Sequence, residues 1–190
     1  MAKKTGIKSP MMNLNGYKLN DSKEIFDAEL EVAQKSVGKF QRKVLTAYSV
    51  PQDIGADSDG AMSKMLGLID SIVLKKVQKT SQRFLYHGEA SVNELFRGVK
   101  VGDTVSIPIA FNASASPLEA LKHTESDGMV LAIKSPVSFP VNDETDEKSG
   151  DMMYVLPSNS EFTVRHIARQ TWAYGPKISR NLMIIELESK

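Results

Sequence analysis

RFLYHGEASVNELFRGVKVGDTVSIPIAFNASASPLEA, running from Arg83 to Ala120, is the stretch on which the rest of the chain is organised. Phe84-Leu85-Tyr86 reads as a short apolar strand that runs into His87-Gly88. Glycine after a strand lets the backbone turn sharply or approach a ligand closely. Val92 to Phe96 has the spacing of a helical turn, and Gly102-Asp103 is a turn signal. A second extended run, Thr104 to Phe111, leads into Ser114-Ala115-Ser116-Pro117. Two strand ends with small polar and ionisable groups, each followed by a turn, can line a cleft. The same pattern also serves as plain scaffold.

Upstream, residues 1–20 read as an arm and residues 21–190 as one domain. The first strong helix starts near Asp21, which can cap it, with Glu24 three residues on as in a capping box. Phe26, Leu30, Ala33, Val37, Phe40 and Val44 form one apolar stripe that Pro51 ends. The stripe of this 21–48 helix can pack on its own domain or pair with a partner helix in an oligomer. The acidic segment Asp57-Ser58-Asp59-Gly60 is no calcium loop, because Gly55 and Leu66 would fall at its first and twelfth ligand positions. A second helix is expected over Ala61 to Lys79, with Met62, Leu66, Ile69, Val73 and Val77 on its buried face. Lys75, Lys76 and Lys79 at its end suit either the helix dipole or a phosphate.

Downstream, strands are expected over Met129 to Ile133, Met152 to Leu156, Phe162 to Ala168 and Leu182 to Leu187. Ser135 to Ser149, with two prolines and a charge run at Asp143 to Lys148, reads as a loop, as does Arg169 to Arg180 with Trp172 and Tyr174. Helices first and strands later argue for an α+β fold. With 190 residues, 41% hydrophobic and 25% charged, the chain can bury a sizeable core. A net charge of +1 gives no global field for nucleic acid. The absence of cysteine excludes disulfides and thiolate metal sites, and the three histidines have no metal-ligand spacing. No membrane span is expected, and no apolar run of signal-peptide length follows the basic start.

The order of the pieces resembles the mono-ADP-ribosyltransferases of the arginine-serine-glutamate class, nearest the phage Alt/Mod-type enzymes. Those carry a strand ending Tyr-Arg-Gly, a strand ending Ser-Thr-Ser, and a Glu-x-Glu ahead of Leu-Pro. Here the matching places read Tyr86-His87-Gly88, Ser114-Ala115-Ser116 and Asp151-Met152-Met153, the last leading to Leu156-Pro157. The resemblance implies an ADP-ribosyltransferase-like fold in which a helical N-terminal half packs on a small β-sandwich with an NAD-type cleft. It implies NAD as substrate, a host protein as acceptor, and the host cytoplasm or a phage particle as the place of action.

It also implies the site. His87 stands at the arginine position, where another branch of the superfamily places a ribose-binding histidine before glycine; the residue also reads as a histidine satisfied by backbone. His87, Gly88, Ser114 and Ser116 would contact NAD, and Ser114 would help position the catalytic acid. Met153 stands at the catalytic glutamate position and offers no charge. Asp151 keeps an acid two residues before it, with Glu161 and Glu144 as further acids without positional support. The letters therefore leave two functions open: a transferase using Asp151, or a degenerate member serving as a structural or binding protein, such as a virion component.

Overall fold

A computed structural model describes residues 19–41, 44, 60–141, 151–174 and 178–190. The arm, the acidic loop before Gly60 and the charge run with Glu144 lie outside the described residues, as do the side chains of Met62, Leu66, Trp172 and Tyr174. Helix α1, Leu19–Ser36, carries Lys23–Asp27 and Glu31–Lys35 pairs one turn apart on its exposed side. Its helical path breaks at Val37-Gly38 and resumes over 39–41, where the Gly38 N–H donates to the Gln41 side chain at 2.9 Å. That one-sided form of a capping box starts a new helical turn. The predicted stripe is therefore not continuous: Phe26, Ala33 and Val37 are buried, while Phe40 is 69% exposed.

Helix α2, Gly60–Val73, buries Ile69, Ile72 and Val73. It ends six residues before the expected Lys79, because the Val77 N–H closes a turn onto Val73 and the chain enters strand β1, Gln78–Lys79. The remaining strands are β2 Phe84–Glu89, β3 Thr104–Ile107, β4 Phe111–Ser114, β5 Met129–Lys134, β6 Val137–Val141, β7 Met153–Leu156, β8 Ser160–Tyr174 and β9 Ile178–Ser189. A 3-10 turn, Glu94–Phe96, capped by Asn93, lies between β2 and β3, and the short helix α3, Pro117–Lys122, follows β4. None of the described helices is long and apolar enough to cross a membrane.

Among the described residues the strands form one sheet in the order β1-β6-β7-β4-β2-β5-β9-β8-β3. All neighbours are antiparallel except β5 and β9, which run parallel. Three apolar clusters organise it. The largest takes Leu85, Ile107, Phe111, Leu131, Tyr154, Phe162 and Leu187 from strands spread across the whole sheet, so the sheet closes over it as a sandwich. Ala33 and Val37 of the first helical region, Ile69 and Val73 of α2, and Phe139 and Val155 form a second cluster outside β6 and β7. Ala120 and Leu121 of α3 pack with Phe84, Tyr86, Val130 and Ile184 in a third, outside β2 and β5.

Two expected loops are strands. Residues 137–141 form β6, whose Phe139, Pro140 and Val141 pair with β7 although Pro140 lacks an N–H. β1 pairs only with Val137 and Ser138, so the proline lies beyond the flanking strand, where no donor is required. Residues 169–174 continue β8 into a long hairpin with β9, Trp172 opposite Arg180.

Candidate functional site

The three segments singled out by the resemblance meet at one corner of the sheet. Tyr86 stands opposite Ser114, and Ser114 opposite Met153, so β2, β4 and β7 bring their motif ends side by side. The Ser114 hydroxyl donates to the Asp151 carbonyl and accepts from the Ser116 N–H at 2.9 Å. The Ala115 N–H donates to the Met152 carbonyl at 3.0 Å. The end of β4 thus grips the segment ahead of β7 by two links, and the Ser116 N–H fixes the Ser114 hydroxyl that makes one of them.

Strand alternation divides β2 into two faces. Phe84, Tyr86 and Gly88 face α3. A Cβ on Gly88 would stand 1.8 Å from the Ala120 carbonyl oxygen, so glycine is required for α3 to lie this close. Leu85, His87 and Glu89 face the sandwich. His87 is only 3% exposed, its ring edge-on to Phe111 with centroids 5.4 Å apart. Its Nδ1 is 2.5 Å from the Asn112 carbonyl oxygen and must donate to it. Its Nε2 is 3.3 Å from Glu89 Oε1. A hydrogen bond there needs one further proton, on the imidazole or on the carboxyl. The His87 ring and the Ser114 hydroxyl therefore lie on opposite faces of adjacent strands, although their backbones meet at the corner.

Met153 packs partly buried against the second cluster. Met152 has φ 39°, in the left-handed region, so strand alternation does not extend back from Met153 to Asp151. The Asp151 side chain is 36% exposed, with Lys122 Nζ 3.8 Å from its Oδ1. Lys122 also pairs with Glu119, and His123 Nε2 is 3.7 Å from the same carboxylate. Asp151, Lys122, Glu119 and His123 form a charged rim between the corner and α3. Glu161 lies elsewhere, on β8 opposite Ser106.

The sequence reading missed Glu89 and the α3 side of this rim. Glu89 was detectable, since two residues on from His87 it must share a strand face. The rim was not, because Lys122 and Asp151 come together only through the packing of α3. Chemically, an exposed carboxylate beside an ammonium suits a ligand with sugar hydroxyls and phosphates: the first accepts from hydroxyls, the second neutralises charge.

No protein-family model and no curated protein matches the sequence. Solved structures do match the fold. Plx2a, an ADP-ribosyltransferase toxin from Paenibacillus larvae, aligns over 90% of this chain and 96% of its own, with TM-score 0.60 and 16% identity. Vis toxin, an ADP-ribosyltransferase from Vibrio splendidus, aligns over 92% and 87%, with TM-score 0.60 and 14% identity. The Clostridium limosum C3 exoenzyme aligns over 91% and 95%, with TM-score 0.60 and 15% identity. What this chain shares with them is the ADP-ribosyltransferase fold.

Proposed function

We propose that this protein carries out NAD-dependent ADP-ribosyl transfer at the β7–β4–β2 corner, with a host protein as acceptor in the manner of the phage-type enzymes it resembles. The observation that supports this reading is the adjacency of the three motif segments in the sheet, with the open carboxylate of Asp151 at their junction. In the reaction the bond between the nicotinamide nitrogen and ribose C1′ breaks, and its electron pair leaves with nicotinamide. Positive charge builds on the ribose, and an anion fixed beside it lowers the barrier. Asp151 is the anion in this reading. Lys122 meets the pyrophosphate, and Ser114 holds the Asp151 backbone in place. The acceptor nucleophile then bonds to C1′ and loses its proton.

A specific observation favours a second reading, in which the fold is retained for binding or assembly without transfer. Met153 is packed against apolar side chains, and His87 is sealed into the sandwich. The experiment is NAD binding and nicotinamide release by the native chain, Asp151→Asn and Met153→Glu. Release by the native chain that falls about 10²–10³-fold in Asp151→Asn supports the first reading. Binding without release, with release restored by Met153→Glu, supports the second. No NAD binding by any version removes the first reading and leaves the fold as a binding or assembly module that does not use NAD.

A further inference from the structure

Beside β6 lies a cavity of about 530 Å³ that none of the corner residues lines. Its size suits a ligand as large as a nucleotide. Val32 and Ala33 of α1 and Phe139 and Pro140 of β6 give it apolar walls. Lys75, Lys76 and Lys79 also line it; all three are exposed, and none has an ion-pair partner among the described residues. The helix dipole accounts for Lys75 and Lys76, which sit in the turn continuing from α2, but not for Lys79, which belongs to β1.

Glu29 lines the cavity too, but its carboxylate is committed inward. It accepts from the Thr80 hydroxyl at 2.8 Å, the Ser81 N–H at 2.6 Å and the Tyr154 hydroxyl at 2.9 Å. Ser138 in the lining is 3% exposed, and its buried hydroxyl oxygen has no hydrogen-bond partner among the described residues.

We propose that this cavity binds a phosphorylated small molecule bearing a flat ring, of the nucleotide class, separately from the corner. Three ammonium groups with no ion-pair partner among the described residues answer the several negative charges of phosphates, and the ring lies against Val32, Phe139 and Pro140. An added peptide strand fits less well, because a two-residue β1 with Lys79, together with Pro140, obstructs strand pairing at this edge.

ADP and inorganic pyrophosphate are titrated calorimetrically into the full chain, Val32→Glu, the double variant Lys75→Glu/Lys79→Glu, and Lys122→Ala. Val32 is 56% exposed on a helix, so glutamate there leaves the fold intact while placing a like charge at the wall; a thermal melt of each variant verifies folding. ADP binds the native chain more tightly than pyrophosphate. Its affinity falls at least about tenfold in Val32→Glu and in the double variant, and is unchanged in Lys122→Ala. Absence of ADP binding, equal binding of the two probes, or indifference to Val32→Glu overturns the proposal. Loss in Lys122→Ala instead assigns the ADP to the corner and also overturns it.

Discussion

The β7–β4–β2 corner and the cavity beside β6 hold similar chemical groups and use them in opposite ways. At the corner the polar atoms are spent on the fold. His87 donates to a backbone carbonyl and meets Glu89, and the Ser114 hydroxyl bridges Asp151 and Ser116. At the cavity three ammonium groups and one hydroxyl have no protein partner among the described residues. A polar group with protein partners positions the chain, whereas one without them is open to a ligand. Asp151 is where the corner departs from its own rule, with a carboxylate held at the rim rather than inside. A motif in sequence therefore marks where a backbone is built, and only side-chain commitments separate architecture from chemistry.

Substitutions can break or sharpen this contrast. The largest effect is expected for Gly88→Ala, since the new methyl meets the Ala120 backbone oxygen and α3 must move. Chemical denaturation should show a loss of about 3 kcal/mol or more. His87→Ala should cost about 3 kcal/mol by the same measurement, removing a buried ring and a donor to the Asn112 carbonyl. A negligible cost would mean that the ring is not structural. Ser114→Ala should cost about 1–2 kcal/mol, with increased amide exchange at Ser116, which loses its acceptor.

The smallest effect concerns pH. Burial pushes the Tyr154 hydroxyl well above its ordinary value of 10.0. The folded chain keeps this proton after the unfolded chain has released its own. The resulting stability is fully present below pH about 10 and is lost above it, by up to about 1.4 kcal/mol per pH unit. Melts of Tyr154→Phe should lack that part of the alkaline decline, at the cost of about 1 kcal/mol near neutral pH from the lost bond to Glu29.

The fold class was legible because helices precede strands along the chain, and because Tyr86-His87-Gly88, Ser114-Ala115-Ser116 and Asp151-Met152-Met153 stand in the order of the family the chain resembles. Local competition hid the rest. The apolar stripe through Phe40 kept helical spacing across Gly38, but a side-chain cap from Gln41 restarted the helix there. Pro140 argued for a loop, yet a strand tolerates proline where its flanking partner has already ended. Arg169 to Tyr174 mixes charge and aromatics without a clean period of two, and its strand character comes from pairing with β9. The direction of the His87 side chain required the register of β2 against β4, which spacing alone does not supply.

The position of β9 bears on how the chain comes to be folded. β9 is the last strand in sequence but lies between β5 and β8, and its parallel seam with β5 pairs Met129 with Met183. The two halves of the sheet are hydrogen-bonded to each other through this strand. During synthesis, the strands from β1 to β7 emerge before the piece that completes the sandwich. Until β9 arrives, the facing edges of β5 and β8 lack their hydrogen-bonding partner, and so distant a pairing forms slowly. Joining the two halves of this sheet thus waits for β9, which is made after both strands it connects.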